Sequence, residues 1–277
     1  LNPRFNARQE IPTFGEVAQQ VHIDRMPTWK SAKHGQQWIN TLRDYAFPKI
    51  GRMPKDSIDQ PEVMMCLAPI WTEKHETAKR LAQRIKTVLD VARSKGFRSG
   101  ENPVTAIKDV QALPKVKAKV KHHKAMHWEE VPASYADLRT RNAMAAKALM
   151  FTCLTGSRTS EVLDLRWEEI NFDAQIWNCP DLRMKTGEEH RVPLTDEMLA
   201  VNEPLQAMQS DYVFEGQKRH KPLSNMSMMM LLRRMQVEGV TVQGFLSTFR
   251  DWASEAANAS REIAEKSLAH TVGSDVE

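Results

Sequence analysis

The chain has 277 residues, of which 41% are hydrophobic and 27% are charged, and its formal net charge is +4. This length allows one large or two modest domains, and no stretch reaches the roughly eighteen apolar residues of a membrane-spanning helix, so we predict that it is not a membrane protein. The sequence pI of about 8.9 permits nucleic-acid binding without requiring it.

The cysteines and the first residues exclude further classes of protein. Cys66, Cys153 and Cys179 are odd in number and lack the spacing of zinc ligands, which argues against a disulfide-rich secreted domain and against a metal site. We therefore expect reduced thiols in the cytoplasm. Residue 1 is Leu, and residues 2–6 have no apolar core like that of a signal peptide, so we interpret the chain as a fragment or a trimmed protein.

From Thr13 to about Gly96 the pattern is helical. The clearest helix is predicted from Thr72 to Lys95, where apolar residues recur every three or four positions before Gly96 provides a stop. Its other face is predicted to carry the basic residues Lys79, Arg80, Arg84 and Lys86. Arg80 and Arg84 are candidate contacts to a phosphate backbone, although a solvated surface explains the same charges.

The segment from Trp29 to Trp38 mixes aromatic, basic and amide side chains. Core packing explains the tryptophans but not the basic residues between them. Lys30, Lys33 and His34 are therefore candidate nucleic-acid contacts.

A run of alternating lysines lies between Leu113 and Lys124. The lysines are Lys115, Lys117, Lys119, Lys121 and Lys124. The alternation is compatible with a strand, but so many like charges repel one another unless an anion lies beside them, so we favour an extended linker along a nucleic acid. We place the domain boundary here.

The second domain is predicted to open with a helix from about Asp137 to Leu154 that stops at Gly156, and a new helix follows from Ser157. Residues 170–177 alternate with period two and predict a strand. Residues 183–194 predict a β-hairpin with Lys185 at the lip of its turn. After Leu223 the chain returns to helix, and the methionines there are interpreted as adaptable core residues.

Several segments in this order resemble the tyrosine recombinases. The sequence LTGSRTSEVLDLRW at 154–167 resembles the first arginine motif of that family, and RMKTG with HRVPL at 183–194 resembles its lysine hairpin. They are followed by GF at 244–245, STFRDW at 247–252 and EKSLAHT at 265–271. The first domain resembles the core-binding domain of the P4-like integrases of prophages and genomic islands at 29–38, 69–71, 76–78 and 100–103.

The resemblance implies a fold and an activity. The fold would be mainly α with a small β-sheet (α+β): a helical, SAM-like core-binding domain over residues 1–110, a basic linker over 111–126 and a catalytic domain over 127–277. The activity would be site-specific integration and excision of a mobile element. A tyrosine attacks one DNA phosphate, which leaves a 3′-phosphotyrosyl bond and a free 5′-hydroxyl, and no cofactor or metal takes part.

The resemblance also implies roles for individual residues. Arg158 would clamp the phosphate, Glu161 would support Arg158, Lys185 would be the general acid, and His270 would be a further donor. Two arginines suit such a site because a planar guanidinium matches two phosphate oxygens.

The chain departs from the family pattern in its second motif. Gln243 and Leu246 stand where the family has His and Arg, and none of the tyrosines, Tyr45, Tyr135 and Tyr212, follows His270. We therefore expect a chain that ends before the nucleophile and is incompetent in cleavage. Two interpretations remain open: a fragment of a recombining integrase, or a degenerate paralogue that only binds DNA or a partner. Arg250 matches a separate arginine of the family and is a weak candidate to replace the missing one.

The expected partners follow from the same resemblance. They are double-stranded DNA carrying an attachment site and other integrase protomers on that DNA. Off DNA we expect a monomer, and the expected location is the bacterial cytoplasm in association with the nucleoid.

Overall fold

The computed structural model describes residues 12–29, 32–109, 113–114, 116 and 124–270. The chain divides into two compact units, residues 1–120 and 121–277. As predicted, the described residues are mainly helical with a small antiparallel sheet. In the described part of the chain, no helix has the length and apolar character needed to span a membrane.

The first unit is helical in its described residues. Its α-helices are α1 (Phe14–Arg25), α2 (Ala32–Tyr45), α3 (Phe47–Ile50), α4 (Gln60–Trp71), α5 (His75–Ser94) and α6 (Pro103–Asp109). The core lies around α5, whose apolar stripe is fully buried at Leu81, Ile85 and Leu89. The periodicity therefore predicted this helix correctly, and Gly96, at φ +71°, follows its end.

The second unit combines helices with the sheet. Its α-helices are α7 (Val131–Arg139), α8 (Met144–Thr155), α9 (Thr159–Leu163), α10 (Asp196–Asn202), α11 (Ser227–Arg234), α12 (Gly244–Glu255) and α13 (Arg261–Ser267), and its strands are β1 (Ile170–Asn171), β2 (Ile176–Cys179) and β3 (His190–Pro193). The strands are antiparallel in the order β1-β2-β3. The helix α8 and the fully buried Trp177 of β2 belong to the core of this unit.

The prediction of one helix from Asp137 to Leu154 was wrong, because α7 and α8 are separate. The Thr140 hydroxyl donates to the carbonyl of Asp137 at 2.8 Å, and Ala143 is extended at ψ 137°. Threonine hydroxyls compete with the backbone for such bonds, which favours a helix end. Residues 156–158, called the arginine turn here because they contain Arg158, therefore follow a separate helix that starts at Met144.

The predicted strand over 170–177 is instead a tight hairpin. Asn171 Oδ1 accepts from the backbone N–H of Ala174 at 2.9 Å, and Gln175 has φ +53°, so the chain reverses between β1 and β2. The pattern of alternating residues persists through this reversal, which is why it resembled one strand.

The predicted hairpin over 183–194 was also wrong in its first strand. The partner of β3 is β2, with Cys179 opposite His190 and Trp177 opposite Val192. Residues 180–189 connect these strands and begin with a 3₁₀ turn at Asp181–Arg183. Lys185 therefore lies in a long connection rather than in a tight hairpin turn.

Candidate phosphate-binding site

The site begins at the turn between α8 and α9. Gly156 adopts φ +62°, a left-handed conformation that favours glycine. A Cβ atom at this position would lie 3.0 Å from Leu268 and 3.1 Å from the ring of Phe249, so the turn packs against both side chains. Arg158, the residue before α9, is extended at ψ 149°.

Arg158 is held by a short, largely buried ion pair. Its Nη1 lies 2.8 Å from Glu161 Oε1, and the side chains of Arg158 and Glu161 are only 15% and 5% exposed. The other oxygen of Glu161 accepts from the backbone N–H of Arg158 at 2.9 Å, and Nη2 donates to the carbonyl of Ala269 at 3.4 Å. A guanidinium has five N–H donors, so these contacts fix its plane and leave donors for an anion.

His270 follows Ala269 directly and is oriented by Glu265. The Nδ1 atom of His270 lies 2.5 Å from Glu265 Oε2, and the backbone N–H of His270 donates to the carbonyl of Glu265 at 2.9 Å. Because an ionised carboxylate only accepts hydrogen bonds, Nδ1 carries the hydrogen and Nε2 points away from Glu265.

The segment after Lys185 reaches the same place. A cleft of about 290 Å³, called the His270 cleft here, is lined by Thr186, Glu188, Glu189, His190, Lys266, Ala269 and His270. Lys185 precedes this lining directly and is exposed. Arg158 contacts Ala269, one of the lining residues, so the arginine turn, the connection after Lys185 and His270 converge. Two of the lining residues are carboxylates, of which Glu189 pairs with Arg191 at 3.0 Å.

The two departures from the family motif lie at the start of α12. Gln243 directly precedes this helix and is partly exposed, while Leu246 is only 6% exposed. Leu246 is three residues before Phe249, which packs on Gly156, so both lie on the side of α12 that faces the arginine turn. An apolar side chain therefore stands where a second cationic donor is expected.

Arg250 lies at the edge of this cluster. Its Nη1 is 4.0 Å from Glu265 Oε1, and its Nη2 is 3.9 Å from Asp251 Oδ1, with a half-exposed side chain. Arg250 thus approaches the carboxylate that orients His270.

The start of α12 and the residues just before it also bind the end of the basic linker. The Thr248 hydroxyl donates to the carbonyl of Met126 at 2.6 Å, and the backbone N–H of Thr241 donates to the carbonyl of Lys124 at 3.0 Å. A Cβ atom at Gly244 would collide with the carbonyl oxygen of Lys124 and lie 3.0 Å from the Cα of Ala125. Gly244 is therefore required by a close approach of two backbones.

We expect Gly244→Ala to destabilise the protein by about 1–3 kcal/mol, because the added methyl group overpacks a backbone contact. Helix propensity alone predicts the opposite sign, since Ala is favoured over Gly within helices. Chemical denaturation measures the change. Gly100→Ala is the control, because its Cβ would meet Arg98 at an ordinary 3.5 Å. An unchanged or increased stability of Gly244→Ala would contradict this packing.

The residues that the sequence predicted to contact DNA fall into three groups. Lys33 and His34 on α2, Arg80 on α5 and Lys124 are exposed. Lys30, Lys115, Lys117, Lys119 and Lys121 lie outside the described residues. The placement of Arg84 on the solvent face was wrong: it is 8% exposed, and its Nη1 donates to the carbonyl of Gln37 at 2.9 Å. Arg84 ties α5 to α2 because a buried guanidinium needs such an acceptor.

Sequence reasoning missed a basic surface in the second unit. Residues 215–222, called the basic hairpin here, are closed by a bridge between Glu215 and Pro222 and by a 2.7 Å bond from the N–H of Gly216 to the carbonyl of Lys221. A groove of about 590 Å³ beside this hairpin is lined by Lys218, Lys221 and Arg234 together with Met226 and Met230. Among the described residues, no carboxylate lies within 4.0 Å of the charged nitrogens of Lys218, Arg219, Lys221 or Arg234. The signal available in the sequence was the run KRHK at 218–221.

Comparison with known proteins adds two family matches. Residues 14–109 match the phage integrase central domain, and residues 124–274 match the phage integrase family.

Curated relatives show the same similarity over most of the chain. The prophage integrase IntA of Escherichia coli K12 is 27% identical over 245 residues, which cover 86% of this chain and 58% of IntA. The integrase of Enterobacteria phage P4 is 28% identical over 288 residues, which cover 95% of this chain and 63% of that protein. The chain thus spans about three-fifths of the length of these relatives.

Solved structures share the fold at low sequence identity. A lambda integrase tetramer bound to a Holliday junction has a TM-score of 0.75 at 15% identity, over 100% of this chain and 84% of that chain. The Tn1549 transposon integrase in complex with circular intermediate DNA has a TM-score of 0.70 at 12% identity, over 94% of this chain and 92% of that chain.

Proposed function

Because the chain belongs to the phage integrase family, we propose that it binds duplex DNA as part of site-specific integration and excision of a mobile element. We further propose that its own phosphate site is deficient in cleavage. One observation carries both parts: Arg158, held by the buried Glu161, donates to Ala269 in the lining of the His270 cleft, whereas the buried Leu246 on α12 offers no donor.

The proposed chemistry is transfer of a DNA phosphoryl group to a tyrosine. The tyrosine hydroxyl loses its proton to solvent as its oxygen forms a P–O bond, the bond from phosphorus to the 5′-oxygen breaks, and the displaced 5′-oxygen takes a proton from Lys185. Arg158 holds the negative charge that develops on the phosphorane, and His270 adds a donor from Nε2. Removing one such donor typically costs about 10²–10³ in rate, so the replacement of two donors accounts for a deficient site.

The proposed partners are duplex DNA and other integrase protomers bound to it, with a monomer off DNA. The lambda integrase structures support this proposal, since they contain a tetramer on a Holliday junction and a dimer on a core site. The exposed basic residues also support it: these are Lys33, His34 and Arg80 in the first unit, and Lys124 with the basic hairpin in the second.

Salt dependence of DNA binding tests the proposal. Each phosphate contact made by a cation contributes about −0.9 to the slope of log K against log[salt] on duplex DNA. We expect the parent chain to show a steep slope, and the triple variant Lys218→Ala, Arg219→Ala and Lys221→Ala to lose up to about 0.9 for each contact removed. Fluorescence anisotropy of a labelled duplex at several salt concentrations measures both.

Arg141→Ala is the matched control, because this arginine is already paired with Asp137 at 2.9 Å and should leave the slope unchanged. A parent chain without salt-dependent binding would contradict the proposed function. A triple variant with the parent's slope would show that the basic hairpin does not contact DNA.

A second candidate function is a binding module that never reacts. The combination of Gln243 and Leu246 favours it, since together they remove a charged donor and an imidazole from the site. DNA binding is common to both candidates, so the two are distinguished by cleavage in a chain that keeps Gln243 and Leu246 and carries a tyrosine beyond residue 270: activity there would exclude the binding module.

A further inference from the structure

Arg183, two residues before Lys185, is anchored at both ends of its guanidinium. Its Nη1 donates to the carbonyl of Glu161 at 3.1 Å, and its Nη2 forms an ion pair with Glu169. The side chains of Arg183 and Glu169 are 20% and 7% exposed. Glu169 also accepts from the indole N–H of the buried Trp177 at 3.0 Å. Arg183 thus bridges α9 and the sheet.

The carbonyl that Arg183 binds has no partner within its own helix. Glu161 lies near the end of α9, and the N–H four residues later, on Leu165, donates to the carbonyl of Val162 instead. Terminal carbonyls of a helix need partners from outside it, and a cation there is favourable. Arg183 provides both the hydrogen-bond donor and the positive charge.

Glu161 is consequently held on two sides. Its carboxylate binds Arg158, and its carbonyl binds Arg183. Met184 follows Arg183 and is 2% exposed, so the chain is fixed up to the residue before the exposed Lys185. The position of Lys185 relative to Arg158 is set through this path.

We propose that Arg183 is a positioning residue: by binding both Glu161 and Glu169, it fixes the position of the Lys185 backbone relative to Arg158. This inference rests on the proposed function, in which Arg158 and Lys185 act on one phosphate. Arginine suits the role because its planar fork reaches a carbonyl and a carboxylate at once, whereas the single ammonium of lysine does not.

Amide hydrogen exchange on the chain as it stands gives the first test. Arg183→Met should accelerate exchange in the segment 184–190 without a matching change in α8. Arg166→Met is the matched control: Arg166 is a partly buried arginine of the same unit, but its guanidinium donates to the Tyr212 hydroxyl at 3.1 Å, and its one bond with Glu169 is through its backbone carbonyl, which the substitution keeps. Unchanged exchange in the segment 184–190 of Arg183→Met would overturn the inference.

Cleavage of two matched DNA substrates gives the second test, in a chain that carries Gln243→His, Leu246→Arg and a tyrosine beyond residue 270. One substrate has the natural 5′-bridging oxygen, and the other has sulfur there, which leaves as a thiolate and needs no proton. A displacement of about 1 Å at a reacting group costs on the order of 10² in rate. We expect Arg183→Met to lose about that factor on the oxygen substrate and little on the sulfur substrate, while Arg183→Lys loses an intermediate amount.

The comparison with Lys185→Ala separates the possible failures. If Lys185→Ala slows both substrates equally, or neither, then Lys185 is not the general acid and the proposed chemistry fails. If Lys185→Ala discriminates between the substrates but Arg183→Met slows both equally, Arg183 supports the fold rather than Lys185, and the inference fails.

Discussion

Gln243→His and Leu246→Arg, made together in a chain that carries a tyrosine beyond residue 270, are expected to produce a covalent adduct on a suicide attachment-site substrate. The adduct should form at least about 10²–10³ times faster than in the unrepaired chain with the same tyrosine, because two donors return to the phosphate. The effects of groups that act on one transition state are not additive, so each single repair should give much less than the pair. Denaturing gel electrophoresis measures the adduct directly.

The control for this repair is Leu246→Met, which conserves volume and supplies no strong donor. Because Leu246 is buried, the unfolding temperature and the DNA affinity of each variant should be measured beside the rate. An unrepaired chain that reacts as fast as the repaired one would contradict our account of the site. Arg250, 4.0 Å from Glu265, would then be the donor to remove next.

Glu161→Ala is expected to destabilise the protein by about 3–5 kcal/mol, because it leaves the guanidinium of Arg158 without its partner in a largely buried position. The same change removes the acceptor for the backbone N–H of Arg158 at the start of α9. For a domain of this size we expect the melting temperature to fall by about 2–4 °C for each kcal/mol. Calorimetry or thermal circular dichroism measures the shift.

Glu262→Ala is the matched control for burial. Glu262 and Lys266 also form a 2.7 Å ion pair, but their side chains are 63% and 66% exposed, and such pairs contribute only about 0–1 kcal/mol. Equal losses of stability in the two variants would show that burial does not increase the contribution of the Arg158–Glu161 ion pair to stability. Glu161→Gln, which keeps an acceptor and the shape, should lose less than Glu161→Ala.

Local patterns in the sequence predicted those features that depend on neighbours along the chain. The helix α5 follows from apolar spacing, and the pairing of Arg158 with Glu161 follows from a separation of three residues next to a glycine turn. The resemblance supplied the fold class. The identities of the site residues remain predictions, but the structure places His270 and the segment after Lys185 around one cleft, and Arg158 donates to Ala269 in the lining of that cleft.

Features that depend on distant contacts were missed or placed wrongly. Arg84 binds a carbonyl 47 residues away, and Arg183 binds groups that are 22 and 14 residues away. The spacing of residues along the sequence does not predict such distant partners. The reversal between β1 and β2 was not predicted for a different reason. It preserves the alternation of apolar and polar residues that a single strand also shows.

The contact between α12 and the end of the linker has a consequence for which mutations such a protein tolerates. Positions 243 and 246 of this short stretch belong to the proposed phosphate chemistry, whereas Gly244 and Thr248 contact the backbone of residues 124–126. Because Leu246 is buried, we expect replacements of similar volume at the first pair to change the proposed chemistry while the fold persists, whereas mutation at Gly244 or Thr248 should destabilise the fold itself. Under the proposed function, a chain altered only at positions 243 and 246 would still bind the DNA and would compete for that DNA with chains able to cleave it.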